Sequence, residues 1–323
     1  MINNQNILNE KIKIAELSFS EALALSKIPE TEIQNLIMDA DSLRKRFKKN
    51  TVFTCGILNA KSGFCSQDCA FCAQSVHFET GVKTYPLFDE NKIIEKAIFL
   101  AEAGATRFSI VTSGFMLNDQ EMDTVCQAVT KIKEKTDLMI CSSLGTLTKP
   151  MAQRLKQSGV TNYHHNLETA RSYFDKICST HDYDDDIKTL KIVRSEGLRV
   201  CSGGIMGLGE SWEQRVEFAF TLKELDVDSI PLNFLNPISG TALENQTVMS
   251  SLEALKCIAL FRRINPEKDV VVCGGRETAL KEDQHKLFSA GANGLMIGNY
   301  LTTMGRQIET DMEMIKSLGL KIV

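Results

Sequence analysis

The chain has 323 residues, a length that suits one large domain or two small ones. Its 43% hydrophobic and 24% charged residues are ordinary for a globular enzyme, and a net charge of −4 without a long basic run argues against nucleic acid as a partner. No apolar stretch is long enough to span a bilayer, and the polar start (Asn3, Asn4, Gln5, Asn6, then Glu10, Lys11 and Lys13) lacks a signal peptide's apolar core, so no membrane and a cytoplasmic location are expected.

Residues 1–50 read as a helical extension, with apolar residues at helical spacing over 18–25 and 31–47 and Pro29 between them. From Thr51 the pattern changes to short β-rich runs alternating with amphipathic helices, the signature of βα units and a parallel sheet. Strands are predicted at 51–58, 106–111, 138–142, 162–166, 198–202, 229–232, 270–273 and 294–297. Helices are predicted between them at 93–103, 150–158, 185–196, 212–225, 252–263 and 283–290. Together these predict an α/β fold, a TIM-type (β/α)8 barrel over 51–300 of about the usual 250 residues. Residues 301–323 form a terminal segment ending in a short helix. The alternative, an open doubly wound sheet, would want an early Gly-x-Gly-x-x-Gly turn that this chain lacks.

Ten cysteines in a chain of this kind point to metal or redox chemistry rather than a disulfide frame. Cys65, Cys69 and Cys72 stand in Lys61-Ser-Gly-Phe-Cys-Ser-Gln-Asp-Cys-Ala-Phe-Cys-Ala-Gln-Ser75 with the spacing C-x3-C-x2-C. One short loop can wrap three thiolates around three corners of an iron–sulfur cube, which normally takes four cysteines. The missing fourth leaves one iron open for a small molecule, as the open position of a catalytic metal site does. Simpler readings are a zinc knuckle short of one ligand or three reduced structural thiols. On the barrel reading the loop follows the first strand at its C-terminal end, the active-site face of such barrels, as an exposed appendage at the mouth.

Cys55, Cys141, Cys201 and Cys273 fall on predicted strands one, three, five and seven. Side chains inside such a barrel stack in layers drawn from alternate strands, so four inward cysteines on the odd strands could form one ring, the right count for a second cluster. Any one of them could equally be a small core residue. Arg276, three residues past Cys273, is a nearby cation for an anionic cluster. Cys126, Cys178 and Cys257 fall on helices or loops and read as structural.

The run around Cys65, with Phe71 just before its last cysteine, resembles the signature of the radical S-adenosylmethionine (SAM) enzymes, whose open iron chelates the amino and carboxylate groups of SAM. Gly104-Ala-Thr-Arg-Phe-Ser109, Gly145-Thr-Leu147, Tyr163-His-His-Asn-Leu-Glu-Thr169, Val200-Cys-Ser-Gly-Gly-Ile-Met-Gly-Leu-Gly-Glu210 and Pro231-Leu-Asn-Phe-Leu235 are similar to segments of the biotin synthase family. The resemblance runs from about Lys45 to Gly319. It implies a sulfurtransferase of biotin biosynthesis that converts dethiobiotin to biotin: a 5′-deoxyadenosyl radical abstracts hydrogen and an auxiliary Fe–S cluster donates the sulfur. It further implies a flavodoxin or ferredoxin electron donor, iron–sulfur assembly proteins as partners, and a homodimer. Position by position, Cys65, Cys69 and Cys72 would hold the 4Fe–4S cluster. Phe71 and Ile205 would pack on adenine, Glu168 would take the ribose hydroxyls, and Gly203 in Gly203-x-Ile205-x-Gly207 would let the backbone approach SAM. His164, Asn166 and Asn233 would touch the ureido group of dethiobiotin, and Cys141, Cys201 and Arg276 match auxiliary-cluster ligands. The asparagines could also be turn residues, and His164 or His165 a core histidine.

The chain departs from the best-known members of that family. Their 2Fe–2S auxiliary cluster has three cysteines and an arginine, and the third cysteine aligns with Ser109, while Cys55 and Cys273 stand where they carry serine. A ring of four cysteines suits a 4Fe-type cluster better than a 2Fe–2S one, with an additional sulfide as the transferable atom. Those members also have an arginine contacting SAM at the position of Asp186 and an asparagine at that of His164. Two other functions remain open: another radical SAM enzyme on a related barrel, of hydrogenase-maturation or mutase type, and a non-catalytic iron–sulfur or zinc protein.

Overall fold

The computed structural model describes residues 16–323, and the polar stretch at residues 3–13 lies outside them. Two helices lead in: α1 (Phe19–Ser26), started by a capping box between Ser18 and Glu21, and α2 (Ile33–Lys48). Then follow β1 (Thr51–Lys61), α3 (Glu90–Glu102), β2 (Arg107–Thr112), α4 (Asp119–Lys135), β3 (Met139–Ser143), α5 (Lys149–Ser158) and β4 (Asn162–His164). The second half runs α6 (Arg171–Phe174), α7 (Tyr183–Ser195), β5 (Arg199–Cys201), β6 (Gly204–Met206), α8 (Trp212–Glu224), β7 (Ser229–Phe234) and α9 (Ser251–Ile264). It ends with β8 (Asp269–Val272), α10 (Arg276–Leu280), β9 (Gly294–Ile297), α11 (Ile308–Ser317) and β10 (Lys321–Ile322).

The strands pair in parallel in the order β1-β2-β3-β4-β5-β7-β8-β9, and β9 pairs back with β1, so the sheet closes into an eight-stave TIM-type barrel. The fifth stave is split, β5 pairing with β7 at Cys201↔Ser229 and β6 at Gly204↔Leu232. Backbone crowding explains the split. A Cβ on Gly203 would stand 1.9 Å from the Pro231 carbonyl oxygen, and one on Gly204 would stand 2.1 Å from that of Glu168. Helices shield the outside: β8 is buried along its whole length, as a strand covered on both faces should be. Local signals set the helix ends. Asn118 and Glu121 cap α4 reciprocally, Ser211 and Gln214 do so for α8, and Gly159 ends α5 at φ +110°.

The terminal segment departs from expectation. Gly319, at φ +66°, turns the chain out of α11, and β10 then adds in parallel to the start of β1 (Thr51↔Lys321) instead of the chain ending in a helix. α2 packs on α9 beside the barrel. No helix among the described residues is long and apolar enough to cross a membrane.

Candidate active site

A cavity of about 430 Å³ opens at the C-terminal ends of the strands and reaches deep into the barrel, and it collects nearly every residue singled out from the sequence. Cys65, Cys69 and Cys72 line it from the loop after β1. That loop is no exposed appendage. It is pinned by Ala70 N donating to Ile177 O (2.8 Å), Val76 N to Cys65 O (2.9 Å), and Ser179 N and Thr180 N to the Asp68 carboxylate (2.9 and 3.2 Å). Burial pushes the Cys72 thiol up to about 11. Cys69 is raised by the Cys178 thiol 4.0 Å away and by burial.

Cys178 is therefore not a remote structural thiol. It lines the cavity, with His181 Nδ1 at 3.2 Å and the Asp68 carboxylate at 3.3 Å. Hydrogen bonding from Cys69 and His181 brings it down to about 4, and Asp186 and Cys178 together lift His181 to about 10. Asp186 is buried in the same wall, where it accepts from His165 Nε2 (2.7 Å) and meets His181 Nε2 at 3.4 Å. Burial alone would raise its carboxyl, but these two imidazoles overcome that and hold it below the usual range.

Phe71, Ile205 and Glu168 face the cavity, and Gly203 does not. The physical reason for Gly203 is its approach to Pro231 across the barrel wall, described above, rather than an approach to a ligand. Glu168 sits at φ +63°, a costly conformation for a side-chain-bearing residue. It is held there because its N–H donates to Gly203 O (3.2 Å) and its carbonyl accepts from Ile205 N (2.9 Å). Burial raises its carboxyl to about 7, against the opposing Asn166 Nδ2 bond at 3.2 Å.

His164, Asn166 and Asn233 also line the cavity, and none is idle. His164 Nε2 meets Asn166 Oδ1 at 2.8 Å, and Asn166 Oδ1 also accepts from Gly203 N at 3.2 Å. Asn233 donates to Gly204 O (3.2 Å) and accepts from Gly274 N (3.0 Å), which ties β6 and β7 to the turn after β8. Each amide keeps further hydrogen-bonding capacity for a ligand. Burial lowers the His164 pKa, so it presents a neutral imidazole.

Deeper in the same cavity lie Cys55, Cys141, Cys201 and Cys273, from staves one, three, five and seven. All four are free thiols. Burial pushes Cys55 up to about 12, with Cys273 adding to it, and Cys201 up to about 11. It also raises Cys141 and Cys273. Ser109 Oγ and Asn162 Oδ1 line this region, buried and without a hydrogen-bond partner, as expected of a wall shaped to face a polar group. Among the described residues no three His, Cys, Asp or Glu side chains converge on a position for a single metal ion. Three cysteines in the loop and four on the staves supply soft thiolate donors of the kind iron–sulfur clusters take.

Arg276, expected as a charge beside the ring, acts on Cys273 through its charge from outside the cavity lining. Its guanidinium is fully buried, paired with Asp311 and bonded to Tyr300 Oη (3.1 Å) and Gln284, and its charge favours the Cys273 thiolate. The cation that does face the ring is Arg107, next to Cys55 in the β1–β2 register and missed from the sequence. It stands two residues before Ser109, so strand alternation alone would have turned it inward.

Residues 60–222 match the model of the Radical SAM superfamily, and residues 231–321 match that of the Biotin and Thiamin Synthesis associated domain. The chain is 54% identical over 313 residues to the biotin synthase of Syntrophus aciditrophicus, covering 97% of this chain and 96% of that protein. It is 46% identical to the biotin synthase of Pelotomaculum thermopropionicum, covering 98% and 99%. Among solved structures, methylornithine synthase superposes with a TM-score of 0.83 at 19% identity, covering 95% of this chain and 94% of the other. The hydrogenase maturase HydG of Carboxydothermus hydrogenoformans follows with 0.81 at 16%, covering 95% and 76%. At those identities the two structures speak to the fold alone.

Proposed function

The chain belongs to the biotin synthase family of radical SAM enzymes, and from that premise we propose that it inserts sulfur into dethiobiotin, with Cys65, Cys69 and Cys72 holding a 4Fe–4S cluster and Cys55, Cys141, Cys201 and Cys273 holding an auxiliary cluster of 4Fe type. One observation carries the reading: a single cavity joins the three-cysteine loop to the four-cysteine ring, so both sets of thiols face the same enclosed space. When bound, the SAM-bearing cluster would supply the electron that generates the hydrogen-abstracting radical, and the auxiliary cluster would supply the sulfur.

The chain's own residues bind, orient and exclude. Phe71 and Ile205 offer apolar contact for adenine, and Glu168, fixed by two backbone hydrogen bonds, offers a carboxylate for ribose hydroxyls. The His181 imidazolium, kept charged by Asp186, lies beside the three-cysteine loop and offers a cation for the SAM carboxylate where the family's arginine is lacking. His164 and Asn166 at the end of stave four and Asn233 on stave six line the same cavity as both cysteine sets and suit a ureido group, which both donates and accepts. The surrounding barrel keeps water away from a carbon radical. A flavodoxin or ferredoxin as electron donor, iron–sulfur assembly proteins as partners, and a homodimer in the cytoplasm complete the reading on family resemblance.

The test is anaerobic reconstitution, then incubation with reductant, SAM and dethiobiotin. Biotin and 5′-deoxyadenosine are expected, and both should vanish when any of Cys65, Cys69 or Cys72 becomes alanine. Retained 5′-deoxyadenosine in all three variants would remove the cluster assignment. Deoxyadenosine without biotin in the parent chain would favour a rearrangement, which needs no sulfur donor.

A further inference from the structure

We infer that the N-terminal end of the barrel is a portal through which a small sulfur anion, hydrosulfide, reaches the four-cysteine ring, with Arg107 as its gate. The inference rests on the ring being the auxiliary-cluster site. A sulfur donor consumed in each reaction has to be refilled, and from the mouth the ring is reached only past the positions assigned to SAM and substrate. The opposite face offers another route. A second cavity of about 780 Å³ opens there, walled by Ile98, Ala101, Ala105 and Leu138. Arg107 lines both this cavity and the one that holds the ring. It is the one residue common to the two walls.

The charge around that residue suits an anion. The Arg107 guanidinium makes one hydrogen bond among the described residues, Nη2 to Asp269 Oδ2 at 3.2 Å, and lies 3.3 Å over the Phe53 ring, which leaves guanidinium donors for a passing ligand. Asp269 already holds Lys48 at 3.0 Å and has Arg199 at 3.8 Å, so three cations share one carboxylate. The neighbouring Asp228 is taken by Arg194 at 3.1 Å. Glu102, Lys135 and Asp137 are exposed at the outer rim, where solvent screens them, while Arg107 sits at the floor with 13% of its side chain exposed. Arg107 also favours the thiolates of Cys55, Cys141 and Cys201, so its charge is felt on the ring side as well. A guanidinium held by a single ion pair and a ring face can swing without unpicking a network, as Arg276 could not.

The experiment refills the auxiliary cluster of the anaerobically reconstituted full chain, after one turnover, with ferrous iron and sodium sulfide, and follows its absorption and Mössbauer signals rather than biotin. Ala101→Trp, which fills the outer cavity without touching the ring, should slow the recovery about tenfold and leave the SAM cluster intact; Arg107→Leu should slow it similarly and Arg107→Lys much less. Saturating SAM and dethiobiotin, which close the mouth, should leave the parent rate unchanged. Unchanged recovery in Ala101→Trp, or recovery stopped by the filled mouth, overturns the portal. A second arm needs no cluster: in the cluster-free chain an anionic methanethiosulfonate should modify the ring cysteines about tenfold faster than a cationic one of equal size, a preference that Ala101→Trp removes. Equal rates there overturn the portal even if the chain builds no auxiliary cluster, an outcome that would separately defeat the ring reading.

Discussion

At the scale of the residue, polar side chains in the cavity serve the frame and the ligand together. Asn233 bonds two backbone groups while lining the cavity, so on the proposed function Asn233→Ala should weaken dethiobiotin binding by about 1–3 kcal/mol and also lower the unfolding midpoint. SAM affinity should barely change, and calorimetry with each ligand separates the two; equal losses would make Asn233 a framework residue only. Glu168 gives a pH signature. Its carboxyl is raised to about 7 by burial, so it is protonated below that value and becomes an acceptor-only carboxylate above it. SAM affinity should therefore rise as pH passes upward through about 7, and Glu168→Gln should flatten that rise. The sequence could not supply this shift, because it comes from burial that outweighs the opposing hydrogen bond from Asn166, a partner set by the φ +63° turn. Nor could it see that Cys178 lies 4.0 Å from Cys69, since the two are brought together by the Ala70–Ile177 backbone bond.

At the scale of the element, strand alternation was legible and loop anchoring was not. Cys55, Cys141 and Cys201 could be placed on alternate staves because period-2 patterning needs no tertiary knowledge, and Cys273 follows directly after β8. The Gly203–Gly204 break was legible as glycines but not as crowding, which depends on how closely Pro231 and Glu168 approach from neighbouring staves. Gly203→Ala should accordingly cost about 3 kcal/mol, the upper end of the usual overpacking range, in urea unfolding, with SAM affinity lost only through unfolding. Proximity in sequence to Cys273 says nothing of direction: α10 turns Arg276 toward α11, where Asp311 pairs with it in a fully buried bridge while its charge still favours the Cys273 thiolate. Breaking that pair with Arg276→Leu should cost about 3–5 kcal/mol, because Asp311 would be left buried with less of its compensating charge. Joint replacement by apolar residues of similar volume should restore much of it. Iron content per folded chain should stay the same in both, and a selective loss of auxiliary iron would return Arg276 to the site.

At the scale of the whole molecule, barrel closure is what turns scattered cysteines into two sets facing one cavity. β9 meets β1, and the three-cysteine loop then hangs over the ring of the odd staves. The ring thiols are raised by burial and by one another, so they are protonated at neutral pH in the metal-free chain, and each must release a proton as iron binds. Auxiliary-cluster assembly should become more favourable as pH rises, which spectral titration of reconstitution at several pH values would record; a pH-independent yield would contradict the release of protons from the ring. Two cubane-sized clusters in this chain, the second held by four cysteines, are the core of the proposed function. Its most direct measurement is iron per chain after anaerobic reconstitution, for the parent and for Cys55→Ser/Cys273→Ser. About eight irons are expected in the parent and about four in the variant, which should still cleave SAM but form no biotin; about six irons in both, with biotin still made by the variant, would overturn the four-cysteine cluster.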